Sequence, residues 1–153
     1  MKRHDAREYI FKFVYEMEVQ NDKDTEAVLN DTAEVQDISL NGYIKRSVNG
    51  ISDKKEEIDK LIADAAVGWK IERFSAVSHA IMRVAVYEML FSESDAVPYK
   101  IAINEAVEIA KKYDHEKSPK FINGVLNSIA DKQGLKVDTD VKQTPDDDTE
   151  KDV

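Results

Sequence analysis

Helix-breaking residues are scarce in this sequence, because five glycines and three prolines are spread over 153 residues. These two residue types punctuate secondary structure more strongly than any others, so such a low number favours long helices. No stretch shows the strict alternation of apolar and polar residues that is typical of a strand. We therefore predict an all-α protein, a compact bundle of six to seven helices.

Apolar residues at helical spacing locate the first predicted helices. The opening stripe consists of Ala6, Tyr9, Ile10, Phe13, Val14 and Met17. Steps of three and one place all of them on one helix face. A weaker helical pattern covers residues 25–37, and a longer one covers residues 41–68. We expect Gly50 to bend the long pattern.

The second half of the chain contains three further predicted helices. Residues 75–91 are apolar nearly all round, which indicates a central, buried helix. Pro98 and Pro119 suit the first turns of the two helices that follow. Gly134 is the expected end of the last one.

Charge is distributed unevenly along the chain. The formal net charge is −9, and residues 135–153 hold seven acids and three lysines, a net charge of −4. These residues also lack a helical apolar pattern, so we predict a folded domain over 1–134 and a disordered acidic tail over 135–153. The predicted domain keeps a charge of −5. A nucleic-acid site on it must therefore be a local basic patch.

Several classes of function lack their required residues. The chain has no cysteine, which excludes a disulfide framework, a zinc ribbon and a cysteine nucleophile. It has no His-Glu-x-x-His motif, no phosphate-binding glycine loop and no Gly-x-Ser-x-Gly elbow. We expect no enzyme, no cofactor and no metal site. Without a long apolar run or a signal peptide, we expect a soluble cytoplasmic protein without a membrane partner.

Some residues interrupt the apolar patterns or stand out within them. We expect the polar ones to form buried or half-buried ion pairs and hydrogen bonds between helices; they are Arg83, Glu88, Asn104, Glu105 and Asn123. Trp69 is interpreted as a core anchor, and Gly124 as a point of close helix packing.

The N-terminus collects positive charge in an otherwise acidic chain. The cluster consists of Lys2, Arg3, Arg7 and Lys12, together with His4. Arg3 and Arg7 are four residues apart and share a helix face. Asp5 and Glu8 interrupt the cluster. Charge alone therefore fits an RNA-binding patch and an ordinary solvated helix face equally well.

Four segments together carry a family resemblance. The opening Ala6-Arg7-Glu8 runs into an amphipathic helix; residues 80–89 read AIMRVAVYEM, residues 97–112 read VPYKIAINEAVEIAKK, and residues 120–126 read KFINGVL. In this order they resemble the NusB family of transcription antitermination factors, over about residues 3–132. His4 and Asp5 dilute an opening that is often richer in arginine in the family.

The resemblance implies an all-helical fold of two packed sub-bundles. It also implies binding of single-stranded boxA RNA from ribosomal RNA operon leaders, as a heterodimer with NusE, a protein of the small ribosomal subunit. That heterodimer would join the elongation complex of RNA polymerase. By the same resemblance, the RNA-binding residues are Lys2, Arg3, Arg7, Tyr15, Lys117, Lys120 and Phe121. Phe121 has an alternative role in the core, one turn before Val125.

Two other functions are alternatives to this one. A stand-alone helical protein-interaction module with little RNA affinity fits the acidic balance of residues 1–134. NusB-like domains also occur fused to RNA cytosine methyltransferases, but this chain has no glycine-rich nucleotide-binding unit. The sequence leaves open whether the free protein is a monomer or a homodimer, and which operons it serves.

Overall fold

The computed structural model describes residues 1–20, 27, 29–30, 42–69, 75–93 and 97–136. Within these ranges the chain forms helices and no strand. The helices are α1 (Arg3–Val19), α2 (Gly42–Asp53), α3 (Lys55–Ala66), α4 (Ala76–Leu90), α5 (Tyr99–Tyr113) and α6 (Ser118–Lys132). This confirms the predicted all-α class. None of the described helices is long and apolar enough to cross a membrane.

Helix α4 is the centre of the molecule, as its apolar pattern predicts. All residues from Ala80 to Met89 are buried, and each of the other five described helices packs against α4. Helix α1 also pairs with α2, whereas α6 pairs with α3 and α5. Two groups of helices therefore meet on α4. Each fully buried aliphatic side chain, such as Ile81, contributes about 1.5–3 kcal/mol through removal of apolar surface from water.

Local sequence explains where these helices begin and end. The hydroxyl of Ser75 accepts a hydrogen bond of 2.9 Å from the backbone N–H of Ser78, which caps the start of α4. Pro119 lies in the first turn of α6, where its missing N–H costs nothing. After α6, Gly134 has a φ of +80°, a left-handed conformation that favours glycine.

The long pattern over residues 41–68 forms two helices, and the expected bend at Gly50 is wrong. The break lies at Lys54, between α2 and α3, within the charged stretch that interrupts the apolar spacing. Gly50 lies inside α2, where a Cβ atom would come within 2.4 Å of the Tyr87 ring. Glycine at position 50 therefore allows the Tyr87 ring to pack closely against α2.

Two predicted segments extend beyond the part of the chain that the structure describes. The predicted helix over 25–37 falls almost wholly outside it, although Leu29 is described and buried in the core. Residues 137–153 of the predicted tail are also outside. Leu135 packs partly buried against the core, and the Lys136 Nζ lies 6.0 Å from the Tyr99 ring centroid. Leu135 and Lys136 thus contact the helices just past the predicted boundary at residue 134.

Candidate nucleic-acid interface

The first turn of α1 presents two exposed basic side chains, those of Lys2 and Arg3. The guanidinium carbon of Arg3 lies 3.8 Å from the centroid of the Tyr43 ring on α2. This cation–π contact orients the guanidinium while the residue stays exposed. Lys2 and Arg3 of the predicted positive cluster therefore lie on the surface, and α2 supports Arg3 from one side.

Arg7, which the sequence also predicts to bind RNA, is buried and is not part of that surface. Its side chain is 5% exposed, and its Nε lies 2.9 Å from both carboxylate oxygens of Glu88 on α4. The Nη1 atom also lies 3.3 Å from Glu105 on α5. Position 7 is on the same helix stripe as Ile10 and Val14, so the side chain turns inward.

The Arg7–Glu88 pair is the centre of a buried polar network. The hydroxyl of Tyr43 also donates a short hydrogen bond to Glu88. Burial lowers the pKa of Arg7, but the charges of Glu88 and Glu105 and the hydrogen bond to Glu88 together outweigh burial, so the net shift is upward. Burial of the Tyr43 hydroxyl, next to Glu88, raises its pKa. The network therefore holds Arg7 charged and Tyr43 protonated.

His4 links the exposed start of α1 to α5. Its Nδ1 lies 2.6 Å from Glu105, and its Nε2 lies 3.6 Å from Glu8. The hydrogen bond to Glu105 raises the pKa of His4. Together with Arg7, this contact fixes the first two turns of α1 against α5.

The start of α6 presents a second basic pair, the exposed Lys117 and Lys120. The turn that carries them is anchored by Asp114, which accepts a short hydrogen bond from Ser78 and a 3.4 Å hydrogen bond from Ser75, both at the start of α4. Asp114 and Ser78 were missed as positioning residues in the sequence. No spacing pattern connects residues that lie 36 positions apart.

Phe121 is buried, which favours its alternative role in the core over stacking on RNA. It is 2% exposed, and its ring meets the Trp69 ring edge-on, with centroids 5.3 Å apart. Trp69 is 36% exposed, so it covers the rim of the core. A Cβ atom at Gly124 would come within 2.2 Å of the Trp69 ring, so the close contact at this glycine is with a side chain outside the helices and not the predicted contact between helices.

Tyr15 is half-buried on α1, and a series of aromatic contacts connects it to α5. Its ring centroid lies 6.4 Å from that of Phe11, which in turn lies 5.3 Å from that of Tyr113. Five of the seven predicted RNA-binding residues are thus at least partly accessible; they are Lys2, Arg3, Tyr15, Lys117 and Lys120.

The polar residues within the apolar patterns divide into two groups. Arg83 is buried and bonds Asp59 through Nε at 2.8 Å and Glu18 through Nη1 at 2.8 Å, which confirms the expected inter-helix ion pairs there. Asn104 and Asn123 are exposed, so their expected burial is wrong. Among the residues that the structure describes, no group of three or more His, Asp or Glu side chains could hold a metal ion.

Comparison of the sequence with known proteins identifies the family to which the chain belongs. A sequence model of the NusB family matches residues 4–131. The transcription antitermination protein NusB of Clostridium perfringens is 42% identical over 133 residues, which cover 84% of this chain and 96% of the relative. That of Acetivibrio thermocellus is 43% identical over 131 residues, which cover 84% and 88%. The chain belongs to the NusB family.

Solved structures show the same fold. NusB of T. maritima superposes with a TM-score of 0.72 at 33% identity, over 86% of this chain and 92% of that chain. A solved complex of antitermination factors NusB and NusE with dsRNA contains a chain that superposes with a TM-score of 0.74. That chain is 26% identical, and the match covers 86% of this chain and 99% of that chain.

Proposed function

We propose that this chain is a transcription antitermination factor that binds single-stranded boxA RNA from ribosomal RNA operon leaders. It does so as a heterodimer with NusE, and the heterodimer joins the elongation complex of RNA polymerase in the cytoplasm. Its role is regulatory binding, not catalysis. The observation that carries the proposal is the likeness, over 86% of this chain, to a chain of the solved complex of NusB and NusE with dsRNA.

Within this proposal, the exposed residues at the two helix starts hold the RNA. Lys2 and Arg3 on α1, and Lys117 and Lys120 at α6, supply phosphate contacts. Tyr15 supplies an aromatic surface on the α1 side. Arg7 and Phe121 act from inside the protein, where they position α1 and the start of α6.

Affinity for RNA without a partner should be low. Residues 1–134 carry a net charge of −5, which already includes these four positive side chains. Long-range repulsion of RNA by that net charge opposes the local attraction. NusE is therefore expected to tighten binding by extending the RNA-binding surface.

The test is a titration of labelled boxA RNA with the full chain, with and without NusE, over a series of salt concentrations. We expect weak binding alone and clearly tighter binding with NusE. The double variant Lys2→Gln/Arg3→Gln should lower the slope of log affinity against log salt by about 1.4, since each single-strand phosphate contact contributes roughly 0.7. The matched control is Lys60→Gln/Lys132→Gln, which removes two exposed lysines away from both helix starts.

The outcomes separate the parts of the proposal. Equal affinity with and without NusE would contradict the heterodimer, and an unchanged slope in the double variant would contradict the contacts at α1. If the chain binds NusE but no RNA at any salt concentration, the stand-alone protein-interaction module, favoured by the acidic balance, is the better description.

A further inference from the structure

A surface groove of about 430 Å³ runs between α1 and α5. Among the residues that line it are Asp5, Glu8, Tyr9, Lys12, Lys112 and Tyr113. Met1 lines it as well, next to the exposed start of α1, and Tyr113 lies four residues before Lys117. The groove therefore lies beside the start of α1 and the end of α5.

Two aromatic rings in the groove share one lysine. The Lys12 Nζ lies 5.2 Å from the ring centroid of Tyr9 and 5.6 Å from that of Tyr113. Both tyrosines are half-buried, so each ring keeps an accessible part. The lysine side chain is flexible and is attached to α1 alone, so its ammonium group can leave this position while the two rings stay.

Tyr113 is held in place by Glu8. Its hydroxyl donates a 2.9 Å hydrogen bond to Glu8, and the Lys112 Nζ lies 3.0 Å and 3.2 Å from the two oxygens of the same carboxylate. Burial raises the pKa of Glu8, but the hydrogen bonds from Lys112 and Tyr113 outweigh burial and lower it. The ring of Tyr113 is thus fixed before any ligand binds, which reduces the entropy cost of binding.

The charge balance of the groove indicates which part of a nucleotide it fits. The carboxylates of Asp5 and Glu8 offset the ammonium groups of Lys12 and Lys112. The groove therefore has little net positive charge with which to bind a phosphate group. Aromatic faces that are bordered by hydrogen-bonding groups suit an unpaired base, which stacks on the rings and meets polar groups at its edge.

We propose that this groove is a nucleobase-binding site. An unpaired base of the bound RNA displaces the Lys12 ammonium and stacks on Tyr9 and Tyr113, and Lys12 turns outward to the adjoining phosphate. The inference rests on the proposed RNA-binding function and adds a site for a base to the phosphate contacts proposed at the two helix starts.

The test compares two changes at Tyr9 in the full chain with NusE bound. Tyr9→Leu keeps an apolar side chain and removes the aromatic face, so boxA RNA affinity should fall roughly five- to hundredfold with little change in salt dependence. Tyr9→Phe keeps the face and should bind like the wild type. The matched control is Tyr99→Leu, because Tyr99 is also half-buried but lies 14 residues before Tyr113, about 21 Å along α5.

A photochemical readout separates base stacking from a structural role of Tyr9. We expect boxA RNA with 5-bromouridine in place of uridine to crosslink to Tyr9 or Tyr113 on irradiation. Crosslinks confined to other residues, or equal affinity of wild type and Tyr9→Leu, would overturn the base site and leave the proposed RNA-binding function intact. Absence of any RNA binding by the wild-type heterodimer would overturn both.

Discussion

Removal of the Arg7 side chain should destabilise the protein strongly, because its partner is buried with it. The two side chains are 5% and 2% exposed, so Arg7→Ala leaves the Glu88 carboxylate without its counter-charge inside the protein. Removing one member of a buried ion pair costs about 3–5 kcal/mol. For a chain of this size, each kcal/mol lowers the melting temperature by roughly 2–4 °C. We therefore expect Arg7→Ala to melt roughly 6–20 °C below the wild type.

The assay is thermal unfolding followed by circular dichroism in the helical region, with two matched comparisons. Lys2→Gln changes an exposed residue at the same helix start and should stay within about 0.5 kcal/mol of the wild type. The triple variant Arg7→Met/Glu88→Leu/Tyr43→Phe replaces the ion pair and the Tyr43 hydroxyl with apolar groups, and Glu105 keeps its contact with His4. It includes Tyr43 because that hydroxyl would otherwise lose its acceptor on Glu88. It should regain most of the lost stability.

Either of two results would refute this reasoning. If Arg7→Ala melts with the wild type and yet loses affinity for boxA RNA, Arg7 is a direct RNA contact, and the buried ion pair with Glu88 does not describe the protein in solution. If Arg7→Ala is destabilised and the triple variant is equally so, the loss does not come from the unpaired carboxylate.

Two further predictions concern other contacts. Burial raises the pKa of Asp59, but hydrogen bonds from His79 and Arg83 outweigh burial and hold it well below its usual range, so its stabilising effect is present above about pH 4 and is lost as the pH falls. The difference in melting temperature between wild type and Asp59→Asn should therefore shrink from pH 7 to pH 2, and a constant difference would contradict the pair. Gly124→Ala should displace the Trp69 ring and shift its fluorescence to longer wavelength, at a cost of about 1–3 kcal/mol; an unchanged spectrum would contradict this packing.

Helix content and the central helix could be predicted because they depend on periodicity alone. Residues 80–89 are apolar nearly all round, apart from Arg83 and Glu88, and the middle of a bundle is where such a segment is buried. The position of the break between α2 and α3 was harder to predict. Glycine is a helix breaker, so Gly50 suggests a bend. Its role is instead to make room for the ring of Tyr87, a residue 37 positions away. The charged gap at Lys54 was the more reliable signal.

The candidate interface was only partly predictable, and Arg7 shows why. A basic residue within a basic cluster suggests a surface contact, whereas position 7 lies on the apolar stripe with Ile10 and Val14. The apolar stripe indicates the burial of Arg7 better than the charge cluster does. On α6, the four-residue spacing of Phe121 and Val125 likewise indicates that Phe121 is buried. The groove between α1 and α5 had no sequence signal. Tyr9 and Tyr113 line one groove only because the fold brings together two helices about 100 residues apart in the sequence.

The buried position of Arg7 also bears on RNA binding. Glu88 and Glu105 lie beneath the start of α1, where unneutralised carboxylates would attract Lys2 and Arg3 inward and repel phosphate. Arg7 supplies the opposing charge inside the protein. The triple variant removes Glu88 together with Arg7, so it should keep RNA affinity as well as stability. Arg7→Ala leaves both carboxylates in place, so it should bind RNA less well even at a temperature where it is fully folded.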